Sequence, residues 1–460
     1  MKNLILFSLV CILFACNNSE QQNNAVSLEG TITNPTAENF RLITKDSTYT
    51  IDLDSLNHFK ITFPLNESEY MKFWHGPEYG KLFLKPGDDI KLALDGSNFD
   101  ATLAFTGEGA MENNYLIQSL LYEQSLGIDT RTIFSLDKKN FFKQLDSLNQ
   151  LAQTFTDNFV ENEPNIDMNF INFERAKLKF DYASNIINYP GYHRYFTQEE
   201  IPLDDNETSS LKEVYIDDEK FLKISEFINF TNAYIEWLAN KEMPASKPVE
   251  FLANQFKILN TLSDQQEIKN EVLYHKLNTH LKQIGTTGLE NILADFNKAC
   301  TNEAYKEEIN TLYEKWSKLA AGQPAFGFSY LDIEGNEVAL SDFKGKYVYI
   351  DVWATWCGPC KREIPFLTKI EEEFHDKNIV FMSISTDENK EAWERMVKEK
   401  NMQGVQLHAG RGSSISKDYI INFIPRFILI DPEGNIVNSN APRPSGNLSQ
   451  LLNSLEGINA

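Results

Sequence analysis

Two cysteines three residues apart stand in Trp353-Ala354-Thr355-Trp356-Cys357-Gly358-Pro359-Cys360-Lys361, directly after the apolar run Tyr347-Val348-Tyr349-Ile350-Asp351-Val352. A buried strand that hands a C-x-x-C pair to the first turn of a helix is the geometry of a dithiol/disulfide centre. Sulfurs at this spacing can close a small ring. A helix start places Cys357 beside unpaired backbone N–H groups and the positive end of the helix dipole. Both favour the thiolate, which is the nucleophile of disulfide exchange. Pro359 suits the first helical turn, where its missing N–H would have no partner anyway. Cys360, one turn deeper, is expected to be the less exposed, resolving sulfur. The alternatives are a zinc site or two core thiols. Zinc normally takes four Cys/His ligands, and no second such pair accompanies this one. Neither a metal nor a cofactor is expected.

The elements that must position this pair are legible around it. A hairpin centres on Gly335-Asn336, and a strand over 347–353 leads into a helix from about 358 to 374. A strand at 379–385, a helix at 388–400, a strand at 426–430, a turn at Asp431-Pro432-Glu433-Gly434 and a last helix over 447–456 follow. This alternation predicts an α/β sheet with helices on both faces.

Three segments, in order, carry a family resemblance: Trp356-Cys357-Gly358-Pro359-Cys360-Lys361, then Glu363-Ile364-Pro365, then Phe423-Ile424-Pro425 leading into Phe427-Ile428-Leu429-Ile430-Asp431. Residues 322–460 resemble the thioredoxin superfamily, and more closely its envelope-anchored thiol-disulfide oxidoreductases of the TlpA and ResA type. The resemblance implies a redox disulfide Cys357–Cys360. It also implies that Pro425 is a cis-proline facing that disulfide, where substrate backbone docks beside Trp356 and Ile424; the plainer reading is an edge or turn proline. Ile424 matches thioredoxin itself and favours a reductant. Arg426 departs from the pattern, since many relatives carry Thr there. Its guanidinium either stabilises the Cys357 thiolate or is a solvated surface charge.

Two carboxylates are candidates for moving the proton. Asp351 lies in an otherwise apolar run, where an unpaired charge is costly. It resembles the buried acid of thioredoxin that accepts the proton of the resolving cysteine. Glu363, one helical turn past Cys360, matches the acid just beyond the motif in ResA-type proteins; the alternative is an ordinary solvated helix residue.

At the N-terminus, Met1-Lys2-Asn3 precedes an apolar run from Leu4 to Ala15 and then Cys16. A charged start, a short apolar stretch and a small residue before the cut read as a secretory signal and not as a spanning helix. Leu13-Phe14-Ala15-Cys16 resembles a bacterial lipobox, which implies lipidation of Cys16; an ordinary cleaved signal is the alternative. The polar stretch from 17 to 24 reads as a tether. Of five cysteines, Cys11 lies in the signal, Cys16 at the anchor, and Cys357 and Cys360 in the motif. Cys300 remains, following Leu289, Leu293 and Phe296 at helical spacing, and reads as a small core residue or a regulatory thiol.

The chain of 460 residues is long enough for two or three domains, and its net charge of −23 argues against nucleic acid and against a polybasic membrane grip. Residues 25–106 show strand alternation in Thr50-Ile51-Asp52-Leu53, Lys81-Leu82-Phe83-Leu84 and Lys91-Leu92-Ala93-Leu94, around a turn at Pro86-Gly87-Asp88. Trp74 and His75 in this region are core residues or a binding patch. From 107 to 320 the period becomes helical. Phe141, Leu145, Leu148, Ala152, Phe155 and Phe159 form one stripe, Ile224, Phe227, Ile228, Ile235 and Leu238 another, and Ile309, Leu312, Tyr313, Trp316 and Leu319 a third. Pro190-Gly191, Pro202 and Pro244 read as loops, and Ala320-Ala321-Gly322-Gln323-Pro324 as the linker into 321–460. His275 and His280 are five apart, off a common helix face, so no metal site is expected there.

The expected architecture is multidomain α+β: a small all-β domain, a helical middle region and a C-terminal α/β thioredoxin-like domain. The expected function is a thiol-disulfide oxidoreductase, lipid-anchored and periplasm-facing in a Gram-negative envelope. Its partners would be protein substrates with disulfides or thiols and an envelope redox partner. A binding or scaffold lipoprotein with incidental thiols is the alternative of a different class. A thiol peroxidase fits less well, because that family's nucleophile follows a threonine by three residues and Thr355 precedes Cys357 by two.

Overall fold

A computed structural model describes residues 24–45, 47–243 and 246–459. The expected signal sequence, the expected lipidation site Cys16, the expected tether up to residue 23 and Pro244 lie outside the described residues. The described residues form two compact units, those within Met1–Ile216 and Lys220–Tyr234 in one and those within Asp217–Glu219 and Ile235–Ala460 in the other.

In the first unit two four-stranded sheets are built from alternating strands. One runs in the order His58–Pro64, Ala25–Thr33, Asp89–Asp95, Ala104–Glu108; the other Thr48–Asp52, Asn39–Ile43, Glu69–His75, Glu78–Leu84. In Asp89–Asp95 every second residue (Ile90, Leu92, Leu94) is buried and the residues between them are not. That alternation gives each sheet one apolar face. Val26, Leu28, Phe40, Leu42, Phe73 and Leu82 join in a shared core cluster, so the two sheets bury those faces together. Trp74 and His75 end one strand. His75 is buried with Nε2 accepting the Thr36 N–H at 2.9 Å and Nδ1 3.1 Å from the Asn39 carbonyl, which makes it a structural residue. Trp74 stacks on Tyr79.

The helical region is not a body of its own; its first helices belong to the first unit and its last to the second. Pro190-Gly191 does not break the chain. A single helix, Met168–Thr197, runs through both residues. The missing N–H and ring clash of Pro190 cost about 3 kcal/mol in a helix interior. Anchors on either side offset them: Tyr189 is buried, stacks on Phe141 and donates to the Leu136 carbonyl at 2.7 Å, and buried His193 meets the Phe134 carbonyl at 2.9 Å.

The second unit holds a seven-stranded mixed sheet in the order Glu337–Ala339, Ser329–Asp332, Val405–His408, Ile379–Ser385, Tyr347–Trp353, Arg426–Ile430, Ile436–Asn438. Tyr347–Trp353 is buried along its whole length, as a central strand with both faces covered must be. It pairs in parallel with Ile379–Ser385 and antiparallel with Arg426–Ile430. The helix Gly358–Glu373 buries Leu367 and Ile370 with Tyr349, Phe427, Leu429 and Leu452 on one face of the sheet. The segment 320–325 is not a free linker. The Gly322 N–H donates to the Ile436 carbonyl at 2.7 Å and the Ala325 N–H to the Gly434 carbonyl at 2.9 Å, which ties it along the edge strand.

Candidate functional site

The central strand Tyr347–Trp353 ends at Trp353, and a short turn delivers Cys357 to the N-cap of the helix Gly358–Glu373. Pro359 occupies the first turn, where no backbone donor is lost. Cys357 and Cys360 form a disulfide, and the Cys357 sulfur accepts the Cys360 backbone N–H at 3.1 Å. That N–H is one of the helix's unpaired donors, so the sulfur sits where backbone dipoles favour negative charge. The expected contrast in exposure between the two sulfurs is absent in this oxidised state: Cys357 is 4 % and Cys360 3 % exposed. Both pack among Trp353, Ala354, Trp393 and Val397, which leaves the neighbouring Trp356, 71 % exposed, as the prominent surface feature.

The Ile424–Pro425 peptide is cis. Ile424 packs against the cysteine cluster, and Phe423 beside it is exposed. Trp356, Phe423, Ile424, Ile421, Asn389 and Arg411 contribute to an open groove of about 970 Å³ next to the disulfide.

Arg426, the first residue of the next strand, is neither a surface charge nor solvated. It is 1 % exposed, with its guanidinium 5.6 Å from the Trp316 ring centroid and 5.1 Å from that of Phe423. Nη2 donates weakly to the Lys282 carbonyl at 3.5 Å, whereas Nε and Nη1 have no partner among the described residues. Burial drives its pKa down to about 10. The tryptophan and carbonyl that cover it come from the helices Glu303–Ser317 and Gln266–Gln283.

Both candidate acids are buried, with different partners. Asp351 has an oxygen without a hydrogen-bond partner, and burial, followed by the charges of Glu363 and Glu371, pushes its pKa up to about 8. A carboxylate taken out of water without compensation keeps its proton. Glu363 is not a solvated helix residue. Its carboxylate accepts the Ser445 N–H at 3.0 Å and the Ser445 hydroxyl at 2.9 Å, with the Arg443 guanidinium 4.0 Å away. Burial also pushes Glu371 up to about 7. Cys300 lies far along the chain from the motif, buried at the end of the helix Glu290–Ala299 with its thiol pKa pushed up by desolvation.

Asp387 escaped the sequence reading. It is 2 % exposed, and its carboxylate accepts the Thr355 N–H at 2.9 Å, the Thr355 hydroxyl at 2.7 Å and the Ser385 hydroxyl at 2.8 Å. The available signal was Ser385-Thr386-Asp387-Glu388-Asn389, a polar run at the end of an apolar strand, on the side of a parallel sheet where sites collect. A polar run alone does not distinguish a buried acid from a solvated loop.

Residues 320–455 match the Redoxin family model. The thiol-disulfide oxidoreductase ResA of Bacillus thuringiensis subsp. konkukian is 31% identical over 131 residues, 28% of this chain and 75% of that protein. ResA of Bacillus subtilis is 30% identical over 129 residues, 28% of this chain and 71% of that protein. Among solved structures, the thioredoxin domain of a thiol-disulfide oxidoreductase from Bacteroides vulgatus is 33% identical, covering 30% of this chain and 99% of that one, with a TM-score of 0.28. With this extent of likeness to ResA, the chain belongs to the ResA-like thiol-disulfide oxidoreductases of the thioredoxin superfamily.

Proposed function

We propose that this protein reduces or exchanges disulfides of exported proteins through Cys357 and Cys360, anchored by lipidated Cys16 to a Gram-negative cell envelope and facing the periplasm. The observation that carries the reading is the Cys357–Cys360 disulfide seated on the N-cap of a helix, with its sulfur accepting a backbone N–H. A sulfur so placed is stabilised as a thiolate, the form that attacks disulfides. The ResA relatives, named as thiol-disulfide oxidoreductases, support the same chemistry.

In this reading the reduced Cys357 thiolate attacks one sulfur of a substrate disulfide. That S–S bond breaks, a mixed disulfide forms, and the departing substrate sulfur leaves as a thiolate that takes up a proton. Cys360 then loses its proton and attacks the Cys357 sulfur. The second substrate thiolate is released and the Cys357–Cys360 disulfide forms. Two electrons pass from the pair to the substrate, and an envelope dithiol returns them. Asp351 is the better candidate for the proton of Cys360. With its pKa pushed up to about 8 it holds its proton below that pH; once ionised above it, Asp351 offers an oxygen with no hydrogen-bond partner among the described residues, whereas Glu363 is occupied by Ser445. In this reading substrate backbone would dock in the groove lined by Trp356 and by Ile424, the residue that precedes cis Pro425.

Dithiothreitol-linked insulin reduction tests the reading. The wild type should be active and Cys357→Ser inactive. Activity independent of Cys357, or none, favours a binding lipoprotein with incidental thiols. Measurement of the standard potential of the pair then separates a reductant from an oxidant or isomerase.

A further inference from the structure

We propose that Asp387 is a positioning residue of the thiol–disulfide centre: a buried carboxylate that clamps the Thr355-Trp356-Cys357 turn and thereby aims the Cys357 sulfur at a docked disulfide. The inference rests on the oxidoreductase reading above and adds a residue to it.

The strands Tyr347–Trp353, Ile379–Ser385 and Val405–His408 are parallel neighbours, so their C-terminal ends emerge side by side. Backbone bonds already join the loops that follow. The Thr386 N–H donates to the Trp353 carbonyl at 2.9 Å, and the Ala409 N–H to the Ser385 carbonyl at 2.9 Å. Asp387 adds a second tie made by its side chain. One carboxylate takes the N–H and hydroxyl of Thr355 together with the hydroxyl of Ser385. The Asp387 N–H in turn donates to the Ser385 hydroxyl oxygen at 3.1 Å, and His408 Nε2 donates to the Asp387 carbonyl at 2.9 Å. His408 is itself held against buried Trp393.

Burying a carboxylate is costly unless its lone pairs are filled, and an apolar side chain would fill the space without that cost. Here the lone pairs are filled, and two of the three donors belong to the residue that enters the motif turn. The next two residues are the exposed Trp356 beside the groove and Cys357. Thiol–disulfide exchange needs three sulfurs aligned, so a small misplacement of the turn is read as a lost rate. No reacting atom is touched by Asp387; it acts through Thr355.

The test uses the full-length protein as wild type, Asp387→Ala, Asp387→Asn, Thr355→Val and Cys357→Ser. The readouts are kcat and KM for dithiothreitol-linked insulin reduction and the equilibrium constant of the cysteine pair with glutathione. Asp387→Ala is expected to lower kcat about tenfold with little change in KM. It should also shift the glutathione equilibrium by about tenfold, or about 30 mV. Thr355→Val, which removes one of the two Thr355 donors, is expected to lower kcat about threefold. Asp387→Asn should recover most of the loss, because its side-chain oxygen still accepts from Thr355 and its amide donates to Ser385. Wild-type kcat and equilibrium constant in both Asp387→Ala and Thr355→Val, whatever their melting temperatures, would overturn the proposal. If Asp387→Ala does not fold, Thr355→Val carries the same decision. If the wild type shows no Cys357-dependent insulin reduction, the oxidoreductase reading fails instead, and the glutathione equilibrium still reports on the clamp.

Discussion

Asp351 and Arg426 are an acid and a base buried on adjacent strands, yet they do not pair with each other. The register pairs Asp351 with Phe427 and Val352 with Arg426. Cross-strand partners share a face and successive residues alternate, so the acid and the guanidinium point to opposite sides of the sheet. Asp351 is left to respond to burial and to the like charges of Glu363 and Glu371, which hold its pKa near 8. Because that pKa is raised, the folded state binds more protons than the unfolded one between the ordinary carboxylate range and about pH 8. Stability therefore falls as pH rises through this window. Asp351→Asn should remove this slope: its melting temperature relative to wild type should be higher at pH 9 than at pH 5. If the carboxylate accepts the Cys360 proton, the variant should also lose the rise of the insulin-reduction rate with pH around 8. An unchanged pH–rate profile would exclude Asp351 from proton transfer.

At the scale of elements, the motif helix and the long helix Met168–Thr197 both contain prolines and show how local rules are kept or overridden. Pro359 lies in a first turn and needs no compensation, whereas Pro365 lies inside the same helix. Pro190 lies mid-helix, and tertiary anchors at Tyr189 and His193 hold the segment helical. Pro190→Ala should therefore raise the stability of the protein by up to about 3 kcal/mol, read as a higher midpoint in urea. A lower midpoint would show that the helix depends on the proline's geometry. Of the strands Val405–His408 and Arg426–Ile430, the four-residue first one, which alternates apolar with polar residues, is too short to be legible in the sequence, whereas the apolar second one is legible.

For the whole molecule, the helical residues that precede the thioredoxin-like sheet are partly integrated with it. Residues from Ile235 onward share its compact unit, and Trp316 lies beside Arg426 at the start of the strand that follows Pro425. Segment 320–325 is tied by backbone hydrogen bonds to the edge of the sheet and does not swing as a linker. Limited proteolysis of the native protein should accordingly spare 320–325, because a protease needs several residues free of such bonds. Early cleavage there would contradict the tie.

The amino-acid pattern alone determined the motif, its strand and helix to within a residue or two, the strand-then-helix order before it and, apart from the strand Val405–His408 and the helix Ser414–Asp418, the α/β order after it. Those features are local: period, turn residues and C-x-x-C spacing are written within a few positions. Tertiary structure decided the rest. It made Arg426 a covered cation, left an Asp351 oxygen without a partner while Glu363 gained Ser445, carried a helix through Pro190 and brought Asp387 from a strand away onto Thr355. Each depends on what surrounds a charge or a backbone group in three dimensions, because desolvation and hydrogen-bond supply are set by neighbours distant in the chain.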